Sequence, residues 1–197
     1  MHAPFVTCLA AALAASAAAE VLYNPFPWAS PRHTWPAEAN VTNVKGFGAC
    51  GDGVCDDTAA ILKAWNATVS GNGRLFFPCG TYKISQMIYP PDWDPYHVLD
   101  TRRRILQGES TVCSTILLAD RSPQFQNASA RLPVVWIGSG LNSNFGLSVI
   151  SLTIDVGLGN PGAEALRFDA NNEGSLRNLS LVDRSGGGAK SECTHLS

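Results

Sequence analysis

Charge is scarce in this chain: 15% of its 197 residues are Asp, Glu, Lys or Arg, and the formal net charge is −2. No basic stripe exists of the kind that displaces counterions from a phosphate backbone, so nucleic acid is not an expected partner. Arg102–Arg104 is the one dense positive run. Such runs are mostly solvated faces, the alternative being a phosphate- or uronate-binding patch. The histidines, His2, His33, His97 and His195, have no Ser and Asp arranged about them, and a Gly-x-Ser-x-Gly elbow is missing, so nothing points to a serine hydrolase. Gly138–Gly140 reads only GSG, too little for a nucleotide loop. No CxxC pair occurs and no histidine lies near Cys50, Cys55, Cys79 or Cys113, which weighs against zinc. What remains is a neutral chain with 18 glycines, globular in profile and long enough for one domain.

Residues 1–19, MHAPFVTCLAAALAASAAA, form a short apolar stretch ending in small residues, with Ala17 and Ala19 placed for cleavage before Glu20. This reads as a signal peptide, too short and alanine-rich for a membrane span. The expectation is a secreted, extracellular protein with no membrane partner after signal removal. Beyond the leader stand Cys50, Cys55, Cys79, Cys113 and Cys193, an odd set that suggests two disulfides and one unpaired thiol. Locality favours a staple from the Cys50/Cys55 loop to Cys79, with Cys193 left over. Sequons at Asn40, Asn66, Asn127 and Asn178 are candidate glycosylation sites.

The most informative stretch is Val44–Ile61, VKGFGACGDGVCDDTAAI, followed by LFFPCGTYKIS at Leu75–Ser85. Gly46, Gly48, Gly51 and Gly53 mark a shaped loop rather than a strand or helix. Asp56 or Asp57 can cap the helix that follows, where the macrodipole favours negative charge. Ile61, Ala64, Trp65 and Thr68 then keep i, i+3, i+4, i+7 spacing, which predicts a short helix with one buried stripe.

Val44, Phe47, Gly48, Ala49, Gly51, Asp52, Gly53, Asp56, Asp57, Thr58, Ala60 and Ile61 fill the pattern V-x-x-F-G-A-x-G-D-G-x-x-D-D-T-x-A-I. This opening resembles the pectate-lyase-like superfamily, in its rhamnogalacturonase/epimerase-like group shared with the β-helix domains of fungal exo-β-1,3-glucanases. A second stretch, Leu152–Gly188, looks like the later coils of such proteins. The resemblance implies an all-β fold, a right-handed parallel β-helix whose N-terminal end is plugged by the capping helix, and a carbohydrate-active, secreted protein. It also implies G-x-x-G-L after the glycine cluster, whereas Gly186–Gly188 lead into AKSECTHLS, so a solenoid truncated at its C-terminal end is expected.

The rest of the chain agrees. Residues 20–43, rich in Pro and Trp, should run extended, with Trp28 and Trp35 pinning them to the body. Short apolar runs recur at Leu75–Phe77, Tyr82–Ile84, Ile105–Leu106, Thr115–Leu118, Val134–Ile137, Val149–Val156, Ala165–Phe168 and Leu176–Val182, separated by turn residues. They suit strands stacked about 4.8 Å apart in coils across 44–188, with 189–197 an irregular tail. Leu152, Ile154 and Val156 should face inward and Ser151, Thr153 and Asp155 outward; Leu166 and Phe168 should oppose Arg167 and Asp169.

In such a stack, outward carboxylates on adjacent coils are the catalytic candidates: Asp155, Glu164, Asp169 and Glu173. Two of them can act as glycosidase acid and base, or hold Ca²⁺ for a lyase elimination. The plainer alternative is that Asp155 and Asp169 end strands and accept turn hydrogen bonds. Tyr89, Trp93 and Tyr96, with Asp92 and Asp94, gather in one loop and are candidate sugar contacts, unless they only anchor that loop. Asp52–Asp57 does not match a calcium loop, and no metal is assigned there. The expected function is action on a polysaccharide by glycosidic hydrolysis or lyase elimination, the rival being a non-catalytic glycan-binding or structural β-solenoid, or an inactive fragment.

Overall fold

A computed structural model describes residues 35, 39–68, 73–89, 104–138, 145–170 and 173–184, and the main chain of 191–195. The element order is β1 (Val41–Asn43), β2 (Asp52–Asp56), α1 (Thr58–Asn66), β3 (Arg74–Phe77), β4 (Gly80–Ile84), β5 (Ile105–Gly108), β6 (Ser114–Leu118), β7 (Leu132–Ile137), β8 (Ser148–Asp155), β9 (Ala163–Ala170), β10 (Ser175–Val182) and β11 (Ser191–His195). Every apolar run named above becomes a strand.

All the strand pairs are parallel, and the registers define the winding. Arg74, Ile105, Ser148 and Ser175 stand in one column, while Tyr82, Ile116, Ile154 and Leu181 stand in another. Strand β8 serves both columns, pairing β5 through Ser148–Ile150 and β6 through Thr153–Asp155. Between these halves Ser151 adopts φ 53, and Asn178 at the same level of β10 adopts φ 50. The Asn178 Nδ2 donates to Ser151 Oγ at 3.3 Å. Both strands therefore turn a corner rather than run flat, and Asn is among the residues that visit the left-handed conformation. A third face is formed by β7, β9 and β11, with Ile88 bridging Val135 one coil earlier. Three faces per turn make a right-handed parallel β-helix.

Inward residues fill the bore. Leu75, Leu106, Val149, Tyr82, Ile116, Ile154, Val135 and Leu166 are all buried, as are Leu152 and Val156. Each such side chain contributes roughly 1.5–3 kcal/mol on burial. Helix α1 adds Ile61, Ala64 and Trp65, and Thr68 just beyond its end is buried as well; the helix lies against the 3-10 turn Val44–Phe47 and β1, the outermost strand of its face. Trp35 packs edge-on to Phe76 with centroids 5.8 Å apart; Trp28 lies outside the described residues.

The expectations differ from the structure in the glycine segment and the tail, and of the two capping candidates the structure selects one. The glycine segment is not only a loop: it contains the Val44–Phe47 turn and β2, because β2 borrows the edge of β4 at Asp52↔Thr81 and Asp56↔Lys83. The stretch 191–195, expected to be irregular, pairs with β9; a free strand edge supplies hydrogen bonds that need no apolar alternation. Asp57 does not cap α1 with its side chain. Its carboxylate turns back and accepts from the Cys50 N–H at 2.7 Å and the Gly51 N–H at 3.0 Å. Asp56 serves the helix end instead, accepting from Thr58 N–H at 3.0 Å and from the Ser85 hydroxyl at 2.6 Å.

Burial alone would raise the Asp56 carboxyl, but the Ser85 and Thr58 hydrogen bonds and the nearby Lys83 ammonium outweigh it and hold it below the usual carboxylate range. A depressed folded-state value favours the folded chain above the unfolded value of about 4, and the gain is lost as pH falls through the folded value. Urea midpoints measured from pH 6 downward should therefore fall less steeply in an Asp56→Asn chain than in the parent.

The disulfide also differs from expectation. Cys79 bonds to Cys113, not to the glycine loop, with Cα atoms 4.7 Å apart. Gly80 and Ser114 are register partners, so the residues before them stack one coil apart, within disulfide reach. Cys50 and Cys55 are free thiols; the Cys193 side chain lies outside the described residues. Replacing both Cys79 and Cys113 by serine should cost about 3–4 kcal/mol, read as a lower urea midpoint.

Candidate functional site

The proposed carboxylates do not converge as a set. Asp155 lies on the β6–β8–β10 face, buried; it accepts from Gly157 N–H at 2.9 Å and pairs with Arg184 Nη2 at 2.5 Å. Glu173 is exposed between β9 and β10, with φ 66. Glu164 and Asp169 both belong to β9 and are buried. Trp93, Tyr96, Asp92 and Asp94 lie outside the described residues, whereas Tyr89 is half-buried directly after Ile88. Asn40, Asn66, Asn127 and Asn178 are all exposed.

Glu164 and Asp169 are joined by two side chains that the sequence reasoning did not single out as functional. Trp136 is the register partner of Arg167, and strand alternation turns both away from buried Val135, Ile137 and Leu166. The Trp136 Nε1–H donates to Asp169 Oδ2 at 2.8 Å. The Arg167 guanidinium sits 4.9 Å from the Trp136 ring centroid and its Nη2 reaches Glu164 Oε2 at 2.7 Å. Tyr89, next to the Ile88↔Val135 bridge, takes the place beside Trp136 one coil earlier, and Glu192 holds the register position beside Arg167 one coil later. An outward aromatic at an internal strand position was the signal that could have found Trp136.

A close approach of main chains fixes this cluster. Gly138 directly follows β7 with φ 107, and a Cβ there would lie 2.1 Å from the Asp169 carbonyl oxygen. Only glycine lets β7 end this near β9. The result is a rigid column of aromatic, cationic and acidic groups across successive coils. Such a column can stack on pyranose rings and hydrogen-bond hydroxyls or sugar carboxylates.

Glu164 and Asp169 sit five positions apart on β9 and are bridged through Arg167 and Trp136. Calcium fits poorly: Asp155, Glu164 and Asp169 each face an N–H or guanidinium donor, where calcium needs converging oxygens. Among the described residues, Cys50, Asp52 and Cys55 are the group of three metal-type ligands brought together, with ligand atoms within 4.8 Å of one another. Two thiols make that group unsuited to calcium.

Over 51 residues, 25% of this chain and 5% of the relative, the sequence is 51% identical to mannuronan C5-epimerase AlgE5 of Azotobacter vinelandii. It is 39% identical to a glucan 1,3-beta-glucosidase of Cochliobolus carbonum over 61 residues, 31% of this chain and 8% of that one. The matched stretches thus span under a tenth of these curated relatives. Among solved structures, the A-module of the Azotobacter vinelandii mannuronan C-5 epimerase AlgE6 aligns with a TM-score of 0.50 at 22% identity, over 78% of this chain and 40% of that one, a likeness of fold. Residues 41–195 match the model of the rhamnogalacturonase A/epimerase, pectate lyase-like family, which spans β1 through β11. The chain belongs to that family.

Proposed function

We propose that the protein is secreted and acts on a polysaccharide laid along the β7–β9–β11 face, by glycosidic hydrolysis or lyase elimination. The single observation that carries this is the Trp136–Arg167–Glu164–Asp169 column on a family fold. Relatives named as an epimerase of mannuronan and a glucosidase of β-glucan support a polysaccharide as the substrate class. Trp136 and Tyr89 offer ring faces to the sugar, Arg167 attracts acidic sugars, and Glu164 and Asp169 accept hydroxyl hydrogen bonds. Exposed sequon asparagines support glycan attachment at Asn40, Asn66, Asn127 and Asn178.

A second reading, glycan binding without turnover, draws on the engagement of Glu164 by Arg167 and of Asp169 by Trp136. Incubating the purified protein with pectin, alginate and β-1,3-glucan, while following reducing-end release and unsaturated-uronate absorbance, distinguishes the two. Product in either assay supports turnover; retention on a polysaccharide without product supports binding alone. In either case Trp136→Ala should weaken retention about ten-fold, equivalent to ~1.4 kcal/mol. Unchanged retention in a folded Trp136→Ala chain would remove the column from the site.

A further inference from the structure

The glycine loop before α1 carries a chemistry that the polysaccharide reading leaves unused. Cys50 and Cys55 bracket Gly51–Val54 and both are free thiols, Cys50 exposed and Cys55 half-buried. Their sulfurs and a carboxylate oxygen of Asp52 all lie within 4.8 Å of one another. The loop is held in that shape from both sides. Asp57, itself buried, accepts from the Cys50 and Gly51 N–H groups. Asp52 accepts from the Val54 N–H at 2.8 Å and the Cys55 N–H at 2.9 Å. Gly51 and Gly53, at φ 66 and 76, supply the tight path between the sulfurs.

We propose that Cys50 and Cys55 are a site of covalent modification: exchange with a low-molecular-weight disulfide closes them into a second intramolecular disulfide across the glycine loop. The exposed Cys50 acts first. Its thiolate attacks one sulfur of the small disulfide, the S–S bond breaks, and one small thiol leaves with the bonding pair, giving a mixed disulfide on Cys50. Cys55 then loses its proton to water and attacks the Cys50 sulfur, expelling the second small thiol. Two protein thiols are oxidised and one small disulfide is reduced to two thiols. Cys55 follows rather than leads because it is the less exposed of the two thiols, so a small disulfide meets Cys50 first. With the sulfurs already within 4.8 Å of one another, the exchange has to bring them to the ~2.0 Å of a disulfide.

The test uses the full chain treated with oxidised glutathione, alkylated, digested with trypsin without reduction and weighed. Both sulfurs fall in the peptide Gly46–Lys63, between Lys45 and Lys63. The expected result is that peptide lighter by two hydrogens, carrying neither glutathione nor alkyl groups. Cys50→Ser and Cys55→Ser chains should each fail to give the lighter peptide, and Cys55→Ser should retain glutathione on Cys50. A wild-type peptide alkylated at both positions, or holding glutathione on Cys50 without resolving, overturns the proposal. So do two thiols that remain reduced and instead take up one Zn²⁺.

Discussion

A Trp65→Ala chain is expected to melt about 10 °C below its parent, the largest shift of any single side-chain truncation considered. Trp65 is among the largest fully buried side chains and shares the core cluster with Ile61, Ala64 and Val44. Removing a buried aromatic of this size costs about 3–5 kcal/mol, and in a domain of this length each kcal/mol moves Tm by roughly 2–4 °C. The loss should exceed that of an ordinary core truncation, because the helix that lies against the Val44–Phe47 turn and β1 is short and a short helix depends on its packing. Asn66, the next residue, is exposed, and Asn66→Ala should change stability by less than about 0.5 kcal/mol. Thermal melts followed by far-ultraviolet circular dichroism compare the two; equal melting would show that the stripe is not packed.

The second large effect belongs to Gly138→Ala. The added Cβ meets the Asp169 carbonyl at 2.1 Å while φ stays at 107, so strain and overlap add. Left-handed backbone costs a residue with a Cβ about 1–2 kcal/mol, and forced overpacking a further 1–3 kcal/mol. Moving Asp169 also breaks its hydrogen bond from Trp136, so tryptophan emission and polysaccharide retention should change together with the urea midpoint. Gly46→Ala is the matched control: nothing lies within 4 Å of its added Cβ, and its effect should be small. A neutral Gly138→Ala would mean that β7 and β9 do not approach as described.

Much of this winding is legible in the residues. Tyr82, Ile116, Ile154 and Leu181 announce inward positions because each lies in a short apolar run bounded by turn residues, and burial of one face selects the register. The α1 stripe is legible for the same reason, through a different period. Strands β1, β2 and β11 are not, since Val41–Asn43, Asp52–Asp56 and Ser191–His195 owe their conformation to main-chain pairing with β3, β4 and β9. Glu164 and Asp169 could be named as outward acids, but not their partners. Trp136 and Arg167 meet because one coil separates them, and successive coils here have unequal lengths, as the column Arg74, Ile105, Ser148 and Ser175 shows. No fixed repeat reveals which residues stack. Likewise Cys79 pairs with Cys113 through the β4–β6 register, which locality along the chain could not reveal.

The winding itself is tested most directly by cross-linking two outward positions one coil apart. Thr115 and Thr153 are register partners on β6 and β8, so their Cα atoms should stand about 4.8 Å apart, inside disulfide range. In a chain with Cys50 and Cys55 replaced by serine, Thr115→Cys with Thr153→Cys should oxidise to a bond joining their two tryptic peptides, while Thr115→Cys with Ser175→Cys should not. A bond in the second pair, or none in the first, would contradict a stack of parallel coils in this register.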